Sequence, residues 1–288
     1  MLKLIFVAIA VLIALILVAG CSPVTVLNTL AESDASRSTA GIAYGSDPRQ
    51  KLDIYVPTKQ NETFPVVLFF FGGSWNSGSR SDYRFVGEAL ASRGMLAVIA
   101  DYRLYPQVRY PQFLEDSALA AAWTIANAQA HGGDPKRIYV MGHSAGAYNA
   151  AMLALDPRWM AKAGSSPKVF AGFIGLAGPY DFLPIEIAEV KPVFFHPNSP
   201  PDSQPILYAG PESPRSFLAA PQSDRIINPE RSTHQLADKL AAAGVSVTYK
   251  RYPLVGHITL IGAMGRPLQW LAPVLDDVDA FIRSDGKS

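Results

Sequence analysis

From residue 52 onward the chain alternates short apolar runs with amphipathic or alanine-rich stretches, and this alternation restricts the fold more than any other feature. "LDIYVP" (52–57) has period-two patterning, while "FPVVLFFF" (64–71) and "LAVIAD" (96–101) are continuous apolar runs. "RIYVMG" (137–142), "VFAGFIGLAG" (169–178), "SFLAA" (216–220) and "VSVTYKRY" (245–252) follow. Runs of this length suit strands buried on both faces of a sheet. The stretches 82–93, 114–130, 144–155, 230–243 and 267–283 between them have helical composition. Alternation of this kind predicts an α/β fold, a mostly parallel eight-stranded sheet with helices on both faces. Residues 42–56 are expected to form an antiparallel hairpin at one edge.

Local punctuation supports the same scheme. "HGGDP" (131–135) supplies glycines to stop one helix and a proline to prevent its continuation, and Asn228-Pro229 opens another with a cap and a first-turn proline. "AAAGV" (241–245) closes that helix on glycine before the last strand.

At 288 residues the chain is long enough for one large core and too short to require two domains. Its 25 Lys+Arg against 24 Asp+Glu leave a formal net charge of +1, which provides no global field for nucleic acid or a strongly acidic partner. The expected ligand is a small molecule without strong charge, and no nucleic-acid partner is expected.

The segment "YVMGHSAGAYNAAMLALD" (139–156) carries two glycines around one serine where a strand hands over to a helix. Glycine buries almost nothing and costs ~0.5–1 kcal/mol relative to alanine inside an element, so packing alone does not account for Gly142 and Gly146. In an open parallel sheet ligands bind beyond the carboxyl ends of the strands, which is where Ser144 falls. The pattern G-x-S-x-G in a strand–turn–helix context is a nucleophile elbow, with the helix N-terminus beside the serine.

A serine hydroxyl needs a neighbouring base. Among the histidines, His257 in "YPLVGHITL" follows the last strand and shares the rim with Ser144. His143 is expected to point aside, and His131, His196 and His234 fall in a helix end, a Pro-rich loop and a helix. The base in turn needs a carboxylate to hold its tautomer. Asp224 in "SFLAAPQSDRIINP" gives the chain order Ser, Asp, His, and Asp181 in "GLAGPYDF" is its rival. In "FFFGGSW", Gly72 and Gly73 follow the third strand, where their backbone N–H groups, with that of Ala145, can form an oxyanion hole.

With these residues in place, the body (about 42–284) resembles α/β-hydrolase carboxylesterases of the bacterial esterase/lipase, hormone-sensitive-lipase-like and BD-FAE-like group. "FGGSW" matches the HGG-x-W or HGGG loop, "DYRLYP" (101–106) a DYRLAP-type segment, "GGDPKRI" and "GHSAG" the helix end and elbow, and "SDRII" with "VGH" the acid and base segments. The resemblance implies hydrolysis of short- to medium-chain acyl esters through an acyl-enzyme, without metal or organic cofactor. It carries catalytic roles onto Ser144, Asp224 and His257, and oxyanion roles onto Gly72, Gly73 and Ala145. Formamide hydrolysis of the kynurenine-formamidase kind and a non-catalytic binding scaffold are the alternatives. Phe71 stands where the group has histidine, so order in the loop must come from packing, with Trp75 as the expected partner. Residues 178–204, carrying Phe182, Phe194 and Phe195, are expected to form a small cap within a domain spanning 41–288.

The N-terminus has a separate logic. Lys3 precedes an unbroken apolar or small run from Leu4 to Ala19, shorter than the ~20 apolar residues of a spanning helix. Val18-Ala19-Gly20-Cys21 resembles the lipobox of bacterial lipoprotein precursors, which implies a signal peptide over 1–20 and lipidation of Cys21, the only cysteine. Residues 21–40 are expected to be a flexible tether to a membrane of the bacterial cell envelope. Ser22 resembles the outer-membrane sorting class where the source has two membranes.

Overall fold

The computed structural model describes residues 23–31, 35–58 and 63–284. The expected signal peptide and Cys21 lie outside them. One sheet of eight strands organises the molecule: β1 Ser36–Ala43, β2 Lys51–Pro57, β3 Phe64–Phe70, β4 Leu96–Ala100, β5 Gly133–His143, β6 Phe170–Leu176, β7 Ser216–Pro221 and β8 Val247–Tyr252. Their spatial order is β1-β2-β4-β3-β5-β6-β7-β8. β1 and β2 are antiparallel to each other, and β2 is antiparallel to β4. From β4 through β8 every pairing is parallel.

The continuous apolar runs occupy the centre of the sheet. In β3, Phe69 pairs with Ile99 of β4 on one side and Met141 of β5 on the other, and it has no exposed surface. Burial of one such side chain contributes ~1.5–3 kcal/mol. After β3 the chain moves outward to β4 and then returns across β3 to β5, so connections diverge from the ends of β3 and β5. That divergence opens a crevice at the carboxyl edge.

Helices cover both faces: α1 Pro23–Thr29, α2 Arg84–Ser92, α3 Gln112–Asn127, α4 Ala145–Leu155, α5 Pro157–Lys162, α6 Gln235–Ala242, α7 His257–Gly262 and α8 Val274–Arg283. α4 is buried on all sides, and its sequence AGAYNAAMLAL combines high helix propensity with small side chains that let it lie close to the sheet. α8 is amphipathic instead: Val274, Leu275, Val278, Phe281 and Ile282 face inward, with Asp276 and Asp277 in the first turn and Arg283 in the last, matching the helix dipole.

Several boundaries differ from those expected. β1 begins at Ser36, and its first residues pair with Pro57, Val56, Tyr55 and Ile54. The stretch 21–40 is therefore not a tether throughout: 36–40 belong to the sheet, and residues 23–29 form α1. Asn28 of α1 holds it to the body, its Nδ2 donating to the Ser81 carbonyl at 2.9 Å and its Oδ1 accepting from Phe85 N–H at 3.0 Å. The helix expected over 267–283 is split into a 3₁₀ turn, Arg266–Leu271, and α8, because Pro273 cannot donate a helical hydrogen bond. His257 is the first residue of the short helix α7 that follows the last strand.

Candidate active site

β5 ends at His143 and α4 starts at Ala145, leaving Ser144 alone at the corner with φ 53° and ψ −123°. A side-chain-bearing residue there is strained by ~1–3 kcal/mol and persists only where its surroundings hold it. The Ser144 N–H donates to the Leu176 carbonyl at 2.9 Å. A Cβ on Gly142 would lie 2.2 Å from the Gly146 carbonyl oxygen, and one on Gly146 would lie 2.0 Å from that of Phe70. Both glycines are there because backbone from three segments meets at this corner.

His257 Nε2 lies 2.8 Å from Ser144 Oγ, and its Nδ1 lies 2.7 Å from Asp224 Oδ2. Asp224 Oδ1 also accepts from the Ile226 N–H at 2.8 Å and the Ile227 N–H at 3.1 Å. Burial works to raise the Asp224 pKa, but the hydrogen bond and charge of His257 and these two backbone donors outweigh it and hold the carboxyl below its usual value. An ionised Asp224 draws the ring proton to Nδ1 and leaves the Nε2 lone pair facing the serine hydroxyl. The rival carboxylate, Asp181, is engaged elsewhere, paired with Arg231 at 3.2 Å.

His143 does not point aside as expected. Its Nε2 lies 3.0 Å from the His257 carbonyl oxygen, and the two rings are 5.0 Å apart. Nδ1 is buried with no partner among the described residues. Burial first, and the neighbouring His257 second, push its pKa down to about 3. A neutral ring can donate from Nε2 to the carbonyl, whereas a cation would carry a second N–H with nowhere to go. Sequence reasoning missed this role because the middle of a G-x-S-x-G pattern accepts many residues.

The loop after β3 approaches the same corner. A Cβ on Gly72 would lie 2.9 Å from that of Ser144, so the close approach requires glycine. Gly73 has φ +130°, and Ser74 and Trp75 follow with φ 50° and 57°. The Gly72 amide also interacts with the Tyr83 hydroxyl. Among the described residues the Gly73 and Ser74 amides have no backbone acceptor, and Ala145, the first residue of α4, has none within its helix. Ser74 was not among the expected donors; its place in "GGSW" was the only signal.

Phe71 does not lean on Trp75. It stacks on Tyr102 with ring centroids 4.6 Å apart and on Tyr83 at 5.9 Å. The Tyr102 hydroxyl donates to the Phe71 carbonyl at 2.7 Å. Trp75 turns to the other face, where it meets Phe194 at 4.9 Å and Tyr148 at 5.1 Å and donates from Nε1 to Asn149 Oδ1 at 3.0 Å.

Two cavities open from Ser144, a narrow one of about 100 Å³ and a cleft of about 660 Å³. Residues 178–204 wall the narrow one through Pro179, Phe182, Pro184 and Ile185. Of the three phenylalanines singled out there, Phe182 lines the cavity, Phe194 is fully buried and Phe195 is 42% exposed. No cluster of three or more His, Cys, Asp or Glu that could hold a metal occurs among the described residues.

The chain is similar to several known proteins. The esterase LipC of Mycobacterium tuberculosis is 32% identical over 241 residues, covering 75% of this chain and 58% of that protein. A probable isoprenylcysteine alpha-carbonyl methylesterase, ICMEL1 of Oryza sativa subsp. japonica, is 34% identical over 154 residues, covering 52% of this chain; the match spans 36% of the rice protein's length. Among solved structures, the Pyrobaculum calidifontis esterase superposes with a TM-score of 0.74 at 23% identity, covering 91% of this chain and 89% of that one, and so has the same α/β-hydrolase fold. Residues 52–240 match the BD-FAE family, and the chain is a member of that family.

Proposed function

We propose that the protein is a serine carboxylesterase acting on short- to medium-chain acyl esters. The observation that carries this is the continuous chain from Ser144 Oγ through the His257 ring to Asp224, with links of 2.8 and 2.7 Å. His257 takes the hydroxyl proton as Ser144 Oγ bonds to the ester carbonyl carbon, and Asp224 stabilises the imidazolium that forms. Charge on the former carbonyl oxygen is met by the Gly73 and Ala145 amides, with Ser74 alongside and Gly72 sharing its amide with Tyr83. Loss of one such donor typically costs ~2.7–4 kcal/mol in the barrier. The tetrahedral adduct collapses by breaking the C–O bond to the alcohol, which receives the proton from His257. Water then repeats the sequence and releases the acid. Esterase relatives at 32–34% identity support the reaction class.

The test is a fluorophosphonate probe together with a panel of p-nitrophenyl acyl esters and N-formyl amides. Labelling at Ser144 and ester turnover, both abolished in Ser144→Ala, are expected; folded protein that neither labels nor turns over esters would refute the proposal. A panel cleaved only at the formamides would redirect it to amide hydrolysis.

We also propose that lipid on Cys21 tethers the enzyme to an envelope membrane. Each buried acyl CH₂ contributes ~0.8 kcal/mol, so more than one chain gives stable attachment. Radiolabelled palmitate should be incorporated in the bacterial host and lost in Cys21→Ser, which should leave the membrane fraction. Equal membrane retention of the variant without label would exclude the anchor.

A further inference from the structure

Resting on the esterase reading, we infer that the two cavities divide the substrate, a short acyl chain entering the narrow one and a long apolar alcohol the wide cleft. Ser144 and Ser74 line both, so the reacting carbonyl sits at their junction. His257 lines only the cleft. The imidazole that takes the serine proton returns it to the leaving alkoxide, so the C–O bond that breaks must point toward His257. The alcohol therefore departs into the cleft. Of the oxyanion donors, Ala145 lines only the narrow cavity and Gly73 only the cleft, which sets the carbonyl oxygen between the two; with the cleft taken by the alcohol, the narrow cavity is left for the acyl chain.

The sizes then set the substrate class. The narrow cavity, about 100 Å³ against about 660 Å³ for the cleft, takes the shorter of the two chains. Phe182, Ile185 and Val190 bound it. The cleft of about 660 Å³ has Leu27, Phe85, Ile187, Ile258 and Ile261 along its apolar side. Leu27 comes from α1, which Asn28 fastens to the Ser81–Phe85 segment. The segment ahead of the sheet thus contributes a wall of the alcohol site.

Two isomeric esters separate this division from its reverse: octyl acetate and ethyl octanoate have the same composition, with the long chain on opposite sides of the carbonyl. The 288-residue protein should show kcat/KM at least ~10-fold higher for octyl acetate, the scale on which apolar pockets discriminate chain length. Leu27→Trp should lower kcat/KM for octyl acetate more than for ethyl acetate. Leu27→Ala, which cannot clash, should raise KM for octyl acetate and keeps the test open if the tryptophan variant fails to fold. A ratio near one, a preference for ethyl octanoate, or loss in Leu27 variants that is equal for long and short alcohols would overturn the division while leaving esterase activity intact. No turnover of either isomer and no labelling of Ser144 would instead refute the esterase reading, and this inference with it.

Discussion

Asp224 and Asp181 both follow strands at the carboxyl edge, and spacing along the chain cannot separate them. What separates them is the partner each already has: Asp224 faces the His257 Nδ1 with a side chain 1% exposed, while Asp181 is paired with the guanidinium of Arg231. Asp224→Asn should lower kcat by ~10⁴-fold by favouring the wrong imidazole tautomer. Asp181→Asn removes an ion pair exposed enough to contribute only ~0–1 kcal/mol, and steady-state kinetics should show a far smaller loss. Comparable losses in the two variants would contradict the assignment. His143 offers a second check, on stability. Its pKa is about 3 in the folded protein against 6.5 as the reference, so the unfolded chain takes a proton that the native fold refuses. Stability from this site is intact above pH 6.5 and is lost as pH falls toward 3. At pH 4.5 the loss is on the order of 2–3 kcal/mol relative to neutral pH. His143→Gln keeps an N–H for the His257 carbonyl and cannot titrate. Urea unfolding at pH 7 and pH 4.5 should show the variant losing less stability than the parent; equal losses would mean that His143 is not held neutral.

The elements explain what residue types alone leave open. Period-two alternation along β3 puts Phe69 and Phe71 on the same face, and both rings meet Tyr83, at 5.5 and 5.9 Å. Trp75 lies beyond the turn and enters the opposite face against Phe113 and Tyr148 of α3 and α4. The expected Phe71–Trp75 contact failed because sequence distance conceals which side of the sheet the loop returns to. The "DYR" segment was legible as a family match but not as machinery. Tyr102 clamps the Phe71 carbonyl, and the Arg103 guanidinium grips Asp116 through contacts of 2.7–3.1 Å. Aromatic stacking and the Tyr102 hydrogen bond thus order the loop that follows β3. Phe71→His should therefore fail to restore anything. It would put a polar ring into a site with no exposed surface, between two tyrosine faces. The cost of an unsatisfied buried polar group is ~1–3 kcal/mol, to be read as a lower denaturation midpoint, with no gain in kcat. A more active variant of unchanged stability would show that packing does not order the loop.

At the scale of the whole molecule, the parallel centre of the sheet and the crevice beside β3 and β5 were legible because long apolar runs and glycine-bounded turns report on burial and chain reversal. The N-terminal limit was not. "SRSTAGIA" (36–43) is polar and lacks strand alternation, since β1 lies at the sheet edge with most of its residues exposed. Composition therefore assigns residues 36–40 to the tether, although their pairing is set by β2. Ser36 Oγ also donates to the buried Glu88 carboxylate at 2.8 Å. Starting the chain at residue 41 would remove that charge-assisted hydrogen bond, ~1.5–3 kcal/mol, and a run of ladder bonds at ~0.5–1.5 kcal/mol each. It would also expose the edge of β2 to pairing with other chains. Protein comprising residues 41–288 should accordingly be less stable than 23–288 by roughly 3 kcal/mol or more, a Tm lower by ~6–12 °C for a domain of this size. It should also aggregate at concentrations where the longer form stays monodisperse. Matching melting curves for the two forms would mean that the edge strand contributes nothing and that the domain begins where composition first suggested.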